Sequence, residues 1–207
     1  MRSIEREKIL RSVLGHRSEF KIKGPMATML PLGNILRGLY FDNSATPGAF
    51  YPEIFILPMF RPTLEIYFNF GFRMQDSHGF SQWNTANPHL ISELKYGIKN
   101  FAIPFWEKAQ TVLGFATMPQ EPGSLKNLNN REGIALAWAR AGNIPRAIEE
   151  IDQLLIVTDY KVGWEKIIAD RVSGLKKLLL EEPQKAQQQL DEWEMQTRQN
   201  LRLVGVM

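Results

Sequence analysis

The chain has 207 residues, 44% hydrophobic and 23% charged, a globular composition that excludes wholesale disorder. Its 25 Lys and Arg and 22 Asp and Glu leave a net charge of +3. They form no basic stripe that could track a phosphate backbone, so no nucleic-acid partner is expected. The absence of cysteine excludes disulfides, thiolate metal sites and a cysteine nucleophile.

The opening residues, MRSIEREKIL, lack the apolar core of a signal peptide. No apolar stretch nears the ~20 residues of a membrane span, so a cytoplasmic protein without a membrane partner is expected. Ile4, Ile9, Leu10, Val13 and Leu14 recur at helical spacing ahead of Gly15, which predicts a helix over 3–14. Two prolines and two glycines across 24–33 predict an irregular connection over 20–32.

A strand is predicted over 35–41, a turn at Asp42 to Gly48, and a second strand over 50–60 that is unpaired or bulged near Pro52 and Pro58. From 64 to 74 apolar residues take every second position (Leu64, Ile66, Phe68, Phe70, Phe72, Met74), the pattern of a strand with one buried face. Short connections make the three strands an antiparallel meander. On the third, Glu65, Tyr67, Asn69 and Arg73 would share the polar face and are candidate partner-binding residues, although an ordinary solvated sheet face also looks like this.

After a polar loop over 75–86, Asn87-Pro88 starts a helix whose stripe is Leu90, Ile91, Leu94, Ile98 and Phe101. Pro104 breaks or kinks it, a second piece runs over 105–113, and 117–130 is a loop. Helices follow over 134–141, 145–155, about 164–179 and 183–203. On the last, Leu190 and Trp193, with Thr197 and Leu201, make a narrow apolar stripe that could seal a bundle edge or meet a second chain, so Leu190 and Trp193 join the partner-binding candidates. Val204 to Met207 adds an apolar tail. The fold class is α+β: an N-terminal helix and three-stranded antiparallel meander, then a C-terminal helical bundle. A single domain over 1–207 is expected, with its sheet-containing part in 1–116 and its helical part in 130–207.

No motif for catalysis, metal or cofactor stands out, and none is expected. The three histidines, His16, His78 and His89, lie apart, and Asp76-Ser77-His78 in a row is no triad, since triad members converge from distant segments. An enzyme with a site near Asp76, His78 and His89, drawing on Glu65 and Arg73, is the alternative to a binding protein.

The block ILRGLYFDNS…FYPEIFILPMFRPTLEIYFNFGFRM, with the later FAIPFW, resembles a group of uncharacterised bacterial proteins. In these an LRG-type strand, an FxLP strand and a YFNFG strand precede a helix ending near a Pro-Phe step. The likeness covers 34–106. It implies no reaction, but related domains sit near bacterial toxin genes, which implies an immunity-type role. REGIALAWARAGNIPRAIEEIDQLL, over 131–155, resembles one tetratricopeptide repeat, with Ala135, Trp138, Gly142, Ala147 and Ile151 near the repeat's positions. A single unit implies a helical hairpin, not a peptide groove. The expectation is a non-catalytic, bacterial-type protein-binding factor, with an immunity-type toxin inhibitor as its concrete version. A homodimer through the C-terminal helix is a further alternative.

Overall fold

A computed structural model describes residues 1–119 and 123–203. The chain is α+β, with a helix and an antiparallel sheet followed by helices. It forms two compact units: Met1–Leu57 with Phe70–Lys108, and Pro58–Asn69 with the described part of Ala109–Gly205.

The first unit opens with α1 (Ser3–Leu14), which buries Leu10, Val13 and Leu14. Its Arg6 is also buried and donates to the Phe41 carbonyl at 2.7 Å. The connection expected over 20–32 is instead a hairpin of β1 (Phe20–Lys23) and β2 (Met26–Met29), in register Lys23↔Met26. Gly24 and Pro25 form its two-residue turn. Gly24 supplies a φ of +56°, and Pro25 needs no N–H there, so the residues that suggested irregularity close the hairpin.

The next strands are β3 (Ile35–Asn43), β4 (Ala49–Pro58), β5 (Phe70–Arg73) and β6 (Trp83–Asn84). The sheet has six strands in order β1-β2-β3-β4-β5, with β6 also on β4. Pro52 falls between the two registers of β4, Ala49↔Asn84 and Phe50↔Trp83 on β6 and Glu53↔Arg73 to Ile56↔Phe70 on β5. Its carbonyl still accepts from the Met74 amide at 2.8 Å. Pro58 is the last residue of β4, where a missing N–H costs least.

The third strand of the expected meander shrinks to four residues. Leu64 is 81% exposed, and 64–69 pairs with no strand among the described residues. Alternation failed here because Pro58–Asn69 belongs with the helices of the second unit. Thr197 Oγ1 donates to the Arg61 carbonyl at 3.0 Å and Asn200 Nδ2 to that of Thr63 at 2.8 Å. These bonds tie the segment to the last helix, and tertiary contacts override strand propensity.

α2 (Leu90–Gly97) runs into a π-helical turn, Ile98–Ala102, and then α3 (Ile103–Lys108). The break expected at Pro104 is absorbed by this wider turn, and the chain stays helical through the proline. Trp106 is fully buried; its indole donates to the Phe55 carbonyl at 3.3 Å, and its ring lies 5.7 Å from that of Phe20.

The second unit holds α4 (Val112–Ala116), α5 (Leu128–Arg140), α6 (Ile144–Val157), α7 (Gly163–Glu181) and α8 (Pro183–Asn200). The expected loop over 117–130 contains a 3₁₀ turn, Ser124–Lys126, and the first residues of α5. α5 and α6 make a helical hairpin, with buried Ala135, Ala137, Ala139 and Ala147 allowing close approach. Asn143 caps α6 by accepting from the Arg146 amide at 3.2 Å, with Pro145 in the first turn. The tail over 204–207 lies outside the described residues.

Candidate functional site

The sequence candidates do not form one face. Glu65 and Asn69 are exposed and Tyr67 half-buried, all on the non-strand segment 64–69. Arg73 lies on β5, where it donates to Glu53 at 2.5 Å, approaches Asp42 at 3.8 Å and stacks 4.3 Å above the Tyr51 ring. Its charge is already engaged. Leu190 is fully buried, so it offers nothing to a partner. The inward stripe of α8 is Ala186, Leu190, Glu194 and Thr197, packed on α5 and α7, and it leaves Trp193 half-buried at its margin. Of the expected stripe, Leu190 and Thr197 face inward, while Glu194 takes the inward place beside Trp193 and pairs with Arg198 at 2.7 Å and Arg140 at 3.6 Å.

What the segment 58–69 does carry is a buried ionic cluster. Glu132 on α5 is wholly shut from solvent. Arg61 Nε donates to its Oε2 at 2.5 Å, and Arg171 Nε on α7 lies 2.7 Å from Oε1, out of line for a hydrogen bond. Arg61 also donates to Asn129 and stands 4.6 Å over the Tyr67 ring. The Tyr67 hydroxyl is buried without a well-aligned hydrogen bond. Desolvation pushes its pKa up to about 12, opposed only in part by Arg61. Burial works against the Arg61 charge too, but Tyr67 and Glu132 outweigh it and the guanidinium pKa is raised. A satisfied cation held on a sealed carboxylate is a fastening, and this cluster clamps 58–69 onto α5 and α7. In the sequence Arg61 falls just past the strand expected over 50–60 and Arg171 within the helix expected over about 164–179, and no spacing rule links either to Glu132.

Two surface features remain. In the second unit, Ile156, Val157, Tyr160, Trp164 and Ile167 are all at least half exposed, Ile156 most at 82%. They cluster at the end of α6, the connection that follows, and the start of α7. Trp164 opens the helix expected over about 164–179, and Ile167 follows in its first turn. The buried stripe of α7 is instead Ile168, Val172, Leu175 and Leu179, which leaves both residues outside. Val157 and Trp164 border a cleft of ≈ 460 Å³ with Leu128, Asn129, Lys126 and Glu165. The surrounding charges, Asp159, Lys161, Glu165 and Lys166, are of both signs.

In the first unit, a cleft of ≈ 570 Å³ lies between the loop after β5 and the α2–π wall. Asp76, Trp83, Glu93, Tyr96 and Phe101 line it. Phe101 leaves the expected stripe because the π turn shifts the helical register, and it is half exposed. Asp76 is thus the one member of the expected Asp76, His78 and His89 group on this cleft. Its Oδ1 accepts from the amides of His78 and Phe80, both at 2.9 Å, so it organises the loop. His78 and His89 are exposed and do not line the cleft. Among the described residues no helix is long and apolar enough to cross a membrane. Comparison with protein-family models, curated proteins and solved structures gives no match.

Proposed function

We propose that the chain is a non-catalytic protein-binding factor whose partner sits on the apolar surface formed by Ile156, Val157, Tyr160, Trp164 and Ile167. The observation that carries this is five large apolar side chains, each at least half exposed, within twelve residues of sequence. Large apolar side chains left exposed and bordered by charge are the mark of a protein contact, and a tryptophan, here beside Val157 on one cleft, is a common anchor. The mixed rim suits a protein surface better than a polyanion. A cytoplasmic bacterial inhibitor of the immunity type, which occludes a toxin by covering it, is the concrete form of this reading.

The test is photo-crosslinking from position 157 of the full chain in the cells that make it. A single discrete adduct with one other protein is expected, and it should vanish when Trp164 and Ile167 are both changed to Glu. Adducts that merely follow protein abundance would overturn the reading, as would an adduct of two copies of this chain.

A further inference from the structure

Independently of the partner surface, we infer that the cleft between the β5–β6 loop and the α2–π wall binds an alkylammonium group, the head of a lysine side chain or of a free amine. The volume, ≈ 570 Å³, is that of a small-ligand site. Its walls combine two carboxylates, Asp76 and Glu93, with three aromatic rings, Trp83, Tyr96 and Phe101. No Lys or Arg is among the described residues that line it. Arg73, at its margin next to Phe72 and Asp76, is already bound to Glu53, Asp42 and the Tyr51 ring. The cleft is therefore anionic and lacks an internal counterion.

The carboxylates are incompletely used. Glu93 Oε1 accepts from Asn87 Nδ2 at 3.3 Å, while its Oε2 is closed off from solvent with no donor. Asp76 spends Oδ1 on two backbone amides, and its Oδ2 accepts nothing among the described residues. Glu93 Oε2 is sealed from the cleft and contributes only its charge, while Asp76 Oδ2 stays accessible and can take one of the three donors an ammonium brings. The rings suit the same guest. Tyr96 and Phe101 meet edge to face at 6.2 Å and remain 64% and 50% exposed, so their faces are open to a cation and its methylene stem. Trp83 is a fixed wall, because its indole donates to the Met74 carbonyl at 2.8 Å. The π turn brings Phe101 to the cleft, and such turns recur at functional sites.

The test is titration of the ¹⁵N-labelled full chain with pentylammonium, 1-pentanol and hexanoate, followed by amide and indole shifts. Pentylammonium should move the Trp83 indole and the amides of 75–77 and 92–101, and bind about tenfold or more tightly than pentanol, with hexanoate weakest. Glu93→Gln should weaken the ammonium by about tenfold and leave pentanol unchanged. Tyr96→Ser, at a site 64% exposed, should weaken it several-fold by removing one ring. A capped Gly-Lys-Gly peptide distinguishes the sources. Tighter binding than pentylammonium supports a partner's lysine, and equal or weaker binding supports a free amine. Pentanol binding as well as pentylammonium, or shifts scattered away from the cleft, overturns the inference.

Discussion

Changing Glu132 to Gln keeps the side chain's shape and removes the charge that two guanidiniums share. The carboxylate is wholly buried, with Arg61 Nε at 2.5 Å and Arg171 Nε at 2.7 Å. An amide can offer one oxygen to one arginine, but its NH₂ then faces the other, donor against donor. Two unit charges about 4 Å apart interact by about 4 kcal/mol at an effective dielectric of about 20. Removing one partner of a buried pair typically costs about 3–5 kcal/mol. The two figures agree, so E132Q should lose about 3–5 kcal/mol. For a chain of this size that lowers Tm by roughly 6–20 °C, from about 2–4 °C per kcal/mol. Urea and thermal unfolding followed by circular dichroism at 222 nm measure this for E132Q, R61M and the double variant. The double variant should recover part of the loss, since Arg61 is no longer left without its counter-charge. A cost below about 1 kcal/mol for E132Q would refute the clamp, because a value that small belongs to an exposed pair.

Three further outcomes follow from the same structure. Tyr67→Phe should flatten the alkaline limb of the stability profile. The folded pKa of Tyr67, about 12, stands above its ordinary 10.0, so the folded state holds the proton more tightly. Its contribution is complete below pH 10 and is lost as pH rises to 12, by roughly 3 kcal/mol, and the wild-type-minus-variant difference in denaturant midpoints over that window reads it. Asn143→Ala removes the cap of α6 and should cost about 1 kcal/mol, with Asn143→Asp nearly neutral, as measured by urea unfolding. Gly97→Ala would put a Cβ 2.3 Å from Met74 Sδ at the cleft wall. It should cost about 1–3 kcal/mol by urea unfolding and move the Trp83 indole resonance, whereas an unmoved resonance would mean that Met74 shifts freely.

Local physics was legible where neighbours in sequence decide the outcome. The helix over 3–14, the DNSATPG turn and the helical pair expected over 134–141 and 145–155 follow from periodicity and turn residues, although α5 begins earlier, at Leu128. The alternation over 64–74 misled because a period of two states only that one face is apolar, not what covers it. Arg61 and Glu132 are 71 residues apart, and the clamp between them withdraws 58–69 from the sheet. Gly24-Pro25 suggests an irregular connection in the sequence because a tight turn and an irregular loop share a composition. The candidate surfaces were hidden for the same reason. Trp164, Ile167 and Phe101 carry helical spacing, yet burial in α7 begins only at Ile168, and the π turn puts Phe101 outside.

The proposed partner surface is tested most directly by affinity. The protein captured from position 157 is purified and titrated calorimetrically against the full chain and against the Ile156→Asp, Trp164→Asp and Ile167→Asp triple variant. With side chains this exposed, the variant should keep its Tm within a few degrees, since surface changes are worth about 0.5 kcal/mol each. The account predicts binding at least about a hundredfold weaker, as loss of a tryptophan anchor and its neighbours requires. A folded triple variant that binds as tightly as the natural chain would contradict it.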